Sequence, residues 1–442
     1  MVICPLMETS PEKGEHEDGL QTISLVVDGI DDCNLNCHYC HPLATGRWSG
    51  EILPATTASN VLEAADNTAI LEVLLSGGEI TLHPEFERIL ETTRTLGHTA
   101  VGIITNATRI NDDKVRMIRD SNIDRICVSV DGPDAETHNS RRGRNFESVM
   151  DGLRALGETG KSITVISVLD RRTYTRILQL TELLADQGLA NQHHLCAPSY
   201  SGAARRTYAS YALQLPDYYT MQALVDEAYA NLRTQGMHVT FNSFWPATGE
   251  HGDSEQPRTV TLGQLRERVK DIYGIVRPNG DVRSTAAAWG RETVGDAVVG
   301  NLREEAAATL LRRLDDSYRS GTIRQLPRIV EAGHKFQVGP YAGRLATNAL
   351  LAVKSGPLES LDLPVQTEVV RPLSELDLLE NPLPTEDLAR LAHEAAVAPH
   401  HWRLVHHRTG VNLLFNRRTS HTTLLKPEET IVFNHLYNQY AV

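Results

Sequence analysis

Residues 99–131 read TAVGIITNATRINDDKVRMIRDSNIDRICVSVD. An apolar, β-rich run over 99–105 is followed by a helical pattern over 112–121 and a second β-rich run over 123–131. Residues 100–104 show no polar alternation, as expected of a strand buried on both faces. The same rhythm extends outward in both directions. Further strand-like runs lie at 22–30, 71–76, 162–170 and 192–198, and helical patterns at 58–67, 85–96, 146–157 and 174–187. Strands separated by single helices are the signature of right-handed βα units on a parallel sheet. Six such units predict an α/β fold, a partial or full parallel β/α barrel with its chemistry at the strand C-terminal ends.

Beyond residue 215 the rhythm changes. A helix is expected over 217–234, strand-like residues over 239–245, and a loop rich in Gly, Pro and acids over 246–258. Short strands are expected over 272–302 around the turn Pro278-Asn279-Gly280-Asp281, then a helix from 303 to about 320. Residues 339–380 show no firm period. A helix near 385–396, a hairpin turning at Thr409–Gly410 and a helical stretch after Pro427 close the chain. The expected division is a flexible N-terminus (1–19), a core barrel (20–215), an extension (216–330) and a small α+β cap (331–442).

Composition excludes several classes. With 442 residues and 41% hydrophobic content, the chain is long enough for a large core, so global disorder is not expected. The formal charge of −13 argues against nucleic acid or an anionic membrane as partner. No run of about 18 apolar residues reads as a membrane span, and residues 1–18 lack the basic start and apolar stretch of a signal peptide. A soluble, cytoplasmic protein is the expectation.

Six cysteines in a chain of this length are not a disulfide scaffold. Three of them crowd into Cys33-Asn34-Leu35-Asn36-Cys37-His38-Tyr39-Cys40, directly after the first expected strand. Three thiolates on one loop can hold three irons of a [4Fe–4S] cluster and leave the fourth iron without a protein ligand. Clusters used only for electron transfer normally take four cysteines, so an open iron is a coordination site, by the logic that separates catalytic from structural zinc. A zinc site completed by His38 or a distant residue is the alternative, although no second half-site is visible.

The CxxxCxxC triplet, its position after strand one and the aromatic Tyr39 make residues 20–200 resemble the radical S-adenosylmethionine (SAM) enzymes. The resemblance implies one [4Fe–4S] cluster on Cys33, Cys37 and Cys40, with SAM chelating the open iron. It also implies reductive cleavage of SAM to a 5′-deoxyadenosyl radical that removes a substrate hydrogen atom. Ser76-Gly77-Gly78-Glu79, at the end of strand two, matches the family element that binds the SAM amino group. There two glycines let backbone approach a ligand closely, and Glu79 can accept hydrogen bonds from an ammonium. Thr105–Asn106, closing strand three, and Ser129-Val130-Asp131-Gly132, closing strand four, resemble positions near the ribose and carboxylate of SAM. Arg142, in the segment HNSRRGRNF (138–146), would pair with that carboxylate; Arg141 and Arg144 read equally well as a solvated basic loop. Val168 reads as core or as part of the adenine wall.

Residues 274–302, with IVRPNGDV and VGNLRE, resemble the SPASM-type extension that peptide-modifying members use for auxiliary clusters. Where that pattern places a cysteine, this chain has Arg283-Ser284-Thr285, and no cysteine follows Cys196. No auxiliary cluster is expected, which favours redox-neutral outcomes. Cys196, near the end of strand six, is then a candidate catalytic residue: its thiol can return a hydrogen atom to a carbon radical. A buried small hydrophobe is the other reading, and the one given to mid-strand Cys127. Residues 405–437 loosely resemble modules that bind leader peptides by adding a strand to their sheet edge.

The expected function is tailoring of a peptide or a specialised metabolite, with a flavodoxin- or ferredoxin-type reductant. A sugar or aminocyclitol epimerase or dehydratase using Cys196 is the alternative. An iron–sulfur or zinc sensor is the non-enzyme reading.

Overall fold

The computed structural model describes residues 23–40, 49–68, 70–196, 203, 224, 237–242, 271–284, 298–319, 382–406, 412–418 and 421–441. The expectations for residues 1–19, 217–234, 246–258 and 339–380 and for the turn at 409–410 lie outside the described residues.

Six strands and the helices between them appear where the hydrophobic rhythm placed them. The strands are β1 (Ile23–Ile30), β2 (Glu72–Gly77), β3 (Ala100–Thr105), β4 (Arg125–Ser129), β5 (Ser162–Val168) and β6 (Gln192–Cys196). Between them run α1 (Ala55–Asp66), α2 (Phe86–Thr93), α3 (Asp112–Asp120), α4 (Ala135–Arg142), α5 (Phe146–Gly157) and α6 (Ile177–Asp186). Consecutive strands pair in parallel, β1 through β6, and β7 (His238–Asn242) continues beside β6. At the other edge β8 (Asp271–Val276) pairs in parallel with β1, followed by antiparallel β9 (Asp281–Ser284) and β10 (Val298–Asn301). Helix α7 (Ala307–Arg319) follows β10. The α/β parallel architecture is therefore as expected. One element was not: residues 135–142 form α4 rather than a loop, started by the Asp134 side chain accepting from the Thr137 N–H at 2.8 Å.

Alternate residues of each strand face opposite ways. Val73, Leu75, Val101, Ile103, Ile126, Val128, Val165 and Leu195 pack in one core with Val61, Leu62, Ile89, Ile118, Leu153 and Leu180 of the covering helices. The opposite faces line the barrel lumen: Leu74 and Gly102, Cys127 and Ser129, Ile166 and Val168, His194 and Cys196. At the lumen floor, Glu72 and Arg125 form a buried ion pair of 2.7 Å.

One helix-side residue is ionisable. His193 is fully buried, with its ring nitrogens 2.8 Å from the Ser167 hydroxyl and 2.9 Å from the Thr181 hydroxyl. Burial, with His194 adding to it, lowers its pKa to about 3. The unfolded chain then binds the extra proton, so this contribution is complete above pH 6.5 and is lost as pH falls toward 3. Between pH 6.5 and 5.5 it amounts to about 1 kcal/mol. Denaturant unfolding at the two pH values is expected to show that loss in the wild type and its absence in His193→Asn; equal losses in both would contradict it.

A separate small core gathers Leu388, Leu391 and Ala395 of α8 (Thr385–Val397) with Phe433 and Tyr437 of α9 (Pro427–Tyr440). These helices cover one face of an antiparallel sheet, β11 (Trp402–His406), β12 (Asn412–Asn416) and β13 (His421–Leu425). The other face meets the barrel. Arg403 donates to the His98 carbonyl at 3.0 Å, and Arg417 to the carbonyls of Gly97 at 3.2 Å and Thr99 at 3.3 Å. Arg417 also pairs with Asp124 at 3.4 Å. All four barrel residues precede β3 or β4, so the described part of the cap docks at the floor of the barrel.

Removing Arg417 strands a largely covered Asp124 carboxylate, at a cost of about 2 kcal/mol, below that of breaking a fully buried pair. Arg417→Ala is expected to expose the 382–441 module to protease while cluster content stays at the wild-type level. Coupled loss of both would show that the module supports the site. Among the described residues, no helix is long and apolar enough to cross a membrane.

Candidate active site

The cysteine loop grows from the C-terminal end of β1 and rests on the end of β2. Gly78 N–H donates to the Ile30 carbonyl at 2.7 Å and Glu79 N–H to the Asp32 carbonyl at 2.9 Å. Contact this close needs glycine. A Cβ on Gly77 would stand 2.3 Å from the Ile30 oxygen, and one on Gly78 2.2 Å from the Asp32 oxygen; Gly77 also has φ +140°. Room expected for a ligand at these glycines is occupied by the loop's own backbone, so their local role is to seat the cysteines.

Glu79, 1% exposed, ties the neighbouring strands together. Its Oε1 accepts from Thr81 N–H at 3.1 Å, from the Thr81 hydroxyl at 2.7 Å and from the Thr105 hydroxyl at 2.6 Å. Its Oε2 accepts from Asn106 N–H at 2.6 Å. A carboxylate offers about four acceptor positions over two oxygens, so Oε2 keeps capacity for another donor. Asn106 faces the loop: its Nδ2 donates to Asn34 Oδ1 at 3.0 Å and reaches Cys33 Sγ at 3.7 Å. The Leu35 N–H also points at that sulfur, at 3.4 Å. Burial nevertheless pushes the Cys33 thiol up to about 11 and raises Cys37 as well, so iron must displace their protons on binding.

On the other side, the loop is held by charge. The Tyr39 hydroxyl donates to Asp131 Oδ2, which also accepts from Arg142 Nε at 2.7 Å. Asp131 Oδ1 accepts from Val168 N–H at 2.9 Å. The Arg141 guanidinium lies 4.6 Å from the Tyr39 ring centre and that of Arg142 5.5 Å. Burial alone would raise the Asp131 carboxyl, but Arg142 and Arg141 outweigh it and hold its pKa at about 2. The Arg141 side chain is 0% exposed and pairs with Asp170, so it is a buried structural cation and not part of a solvated loop. Arg144 is exposed.

Asp170 was not singled out in the sequence, while Tyr39, Asp131 and Arg141 were read only as parts of motifs, without their partners. The Asp131-Gly132 pair was legible as the end of strand four, in a stretch resembling family positions near SAM. Its pairing with α4 required knowing that 135–142 is helical and turns both arginines inward.

Ser129 ends β4, half-buried on the lumen face. Cys196 ends β6, in register with Val168, also half-buried and on that face. Cys127 is buried but faces the lumen rather than the helix-side core. None of the described cysteines is in a disulfide. Among the described residues, no three His, Cys, Asp or Glu side chains are grouped to hold a metal ion.

Residues 29–184 match the family described as the Radical SAM superfamily. The likeness to that superfamily covers this stretch of the chain, about a third of its length. Among curated relatives, an AdoMet-dependent heme synthase of Methanosarcina barkeri is 27% identical over 36% of this chain and 46% of its own length. A GTP 3′,8-cyclase of Psychromonas ingrahamii is 28% identical over 37% of this chain and 55% of its own length. The chain thus spans about half the length of the curated relatives it matches. Streptococcus suis SuiB, solved bound to the precursor peptide SuiA, shares the fold over 79% of this chain and 76% of its own, with TM-score 0.55 and 16% identity.

The cofactors of the radical SAM family are a [4Fe–4S] cluster and SAM. The donor set fits them: three cysteines outside any disulfide, on a loop anchored on both flanks, with no fourth cysteine after Cys40 in that loop.

Proposed function

We propose that this chain is a radical SAM enzyme that reductively cleaves SAM and removes a hydrogen atom from a peptide substrate. The observation that carries the reading is the anchoring of the Cys33–Cys40 loop, by Gly77-Gly78 on one flank and by Tyr39–Asp131–Arg142 on the other. When bound, the cluster and SAM supply the electron transfer and the hydrogen-abstracting chemistry.

The chain's own residues do the rest. Cys33, Cys37 and Cys40 would hold the cluster. Glu79 Oε2 would accept from the SAM ammonium, and the outer nitrogens of Arg142 would take the SAM carboxylate. Gly77 and Gly78 fix the height of the loop, while Asn106 and Ser129 border the ribose side. The lumen below is lined by Ile166, Val168 and His194, which excludes water from the substrate carbon. A flavodoxin- or ferredoxin-type protein is the reductant. In this reading residues 216–330 are a SPASM-type extension without its cluster, and 331–442 include the peptide-recognition module. The peptide reading draws on the shared fold with SuiB.

Anaerobically reconstituted protein given SAM and dithionite is expected to release 5′-deoxyadenosine, faster with a substrate peptide. Release of none, from protein of full iron and sulfide content, would overturn the reading.

The position of Cys196 on the lumen face favours a second outcome, inversion at carbon in a sugar or aminocyclitol. There the thiol gives its hydrogen atom to the substrate radical, and the resulting thiyl radical takes one electron from the reductant and one proton from solvent. Turnover in heavy water separates the two. Deuterium at an inverted carbon, absent with Cys196→Ala, supports epimerisation; an oxidised or cross-linked peptide supports the first reading.

A further inference from the structure

We infer that Asp131 is a positioning residue that acts through Arg142, fixing this guanidinium beside the cysteine loop so that its open edge receives the SAM carboxylate. The inference rests on the cluster-and-SAM reading above, in which Asp131 only anchors the loop, and gives that residue a part in SAM binding.

Four elements converge on this one carboxylate: the cysteine loop through Tyr39, the end of β4 itself, α4 through Arg142 and β5 through Val168 N–H. Asp131 is only 3% exposed. Burying an ionised carboxylate is costly unless it is paired and hydrogen-bonded. A purely structural tie between strands would not need the charge. An asparagine could still accept from Val168 N–H, but its amide would face two donors, the Tyr39 hydroxyl and Arg142 Nε. The negative charge is therefore matched to holding a cation.

The arrangement of the neighbouring charges agrees. Arg141 pairs with Asp170, which also binds Arg172 at 3.0 Å, and its Nε stands 3.7 Å from Asp131 Oδ2, farther than that of Arg142. Arg142 bonds Asp131 through Nε alone; its two outer nitrogens make no hydrogen bond among the described residues. A guanidinium held at Nε keeps a planar two-donor edge suited to a carboxylate. The Arg142 charge acts on the Cys37 thiol more than any other charge does. Asp131 thus fixes the donor, and Tyr39 joins the same carboxylate to the loop that carries the ligands.

The test is a double-mutant cycle on reconstituted protein, reading iron and sulfide per chain, cluster midpoint potential, and SAM affinity by equilibrium dialysis. Asp131→Asn is expected to keep the wild-type iron and sulfide content, to move the potential upward, and to weaken SAM binding about ten- to hundredfold. Arg142→Ala is expected to weaken SAM comparably, and the double variant no more than Arg142→Ala alone, since the two act as a unit. Tyr39→Phe, which leaves the Asp131–Arg142 bond intact, is expected to hold SAM affinity within about threefold. The inference is overturned by wild-type SAM affinity in Asp131→Asn, by losses that add in the double variant, or by loss of iron as the primary defect. Wild-type protein that takes up neither cluster nor SAM would defeat the underlying reading instead.

Discussion

Gly78→Ala is expected to strip the protein of most of its iron while leaving the barrel folded. The added methyl would lie 2.2 Å from the Asp32 oxygen, 2.4 Å from the Asp32 carbonyl carbon and 3.0 Å from Cys33 N. Every one of these atoms is backbone, so no side chain can swing aside. The root of the cysteine loop must move, by roughly the 1 Å that commonly costs a hundredfold in activity at a site built on fixed geometry. The helix-side core of β2, Val73 and Leu75, lies on the opposite face and is untouched. Circular dichroism is expected to match the wild type, with iron per chain well below stoichiometric and 5′-deoxyadenosine formation down at least a hundredfold. Full iron and near-normal turnover would show that the glycine is a turn residue and nothing more.

Glu79→Gln is expected to damage the same site by different physics. Shape is conserved, but the new amide must present its NH2 either to Asn106 N–H or to the Thr81 and Thr105 hydroxyl side. Asn106 N–H has no freedom to become an acceptor. A buried donor facing a donor costs about 1–3 kcal/mol, and the ends of β2 and β3 then separate at the point where Asn106 reaches Cys33. Thermal unfolding should shift downward and SAM affinity fall by a factor of ten or more. If stability drops and SAM binding of the folded fraction does not, Glu79 is a strut between strands without a part in the ligand site.

How much of this was legible in the sequence varies by element. Helix α5 was read to the residue, 146–157, because its apolar stripe is strong and its ends are marked. Residues 100–104 declared a two-sided strand by their unbroken apolar run. Helix α4 escaped because AETHNSRR has no apolar stripe to show a period; its start is visible only in the Asp134 cap. Its buried face is made of Thr137, His138, Arg141 and Arg142, and periodicity of hydrophobicity is blind to it. The cysteine triplet and Gly77-Gly78-Glu79 were legible as chemistry, while the physical reason for the glycines was not. Two strands far apart in sequence meet there, and only register shows that Ile30 lies opposite Gly77. The docking of the cap on the barrel floor was likewise invisible, since Arg403 and Arg417 look like ordinary solvated cations until their carbonyl partners at 97–99 are placed.

The most direct single measurement is Mössbauer spectroscopy of iron-57-reconstituted protein with and without SAM. One iron of four, lacking a cysteine, is expected to shift its isomer shift and quadrupole splitting when SAM is added, the other three remaining unchanged. Four irons that ignore SAM, or a chain that retains no iron and sulfide under anaerobic purification, would contradict the open corner on which the site is built.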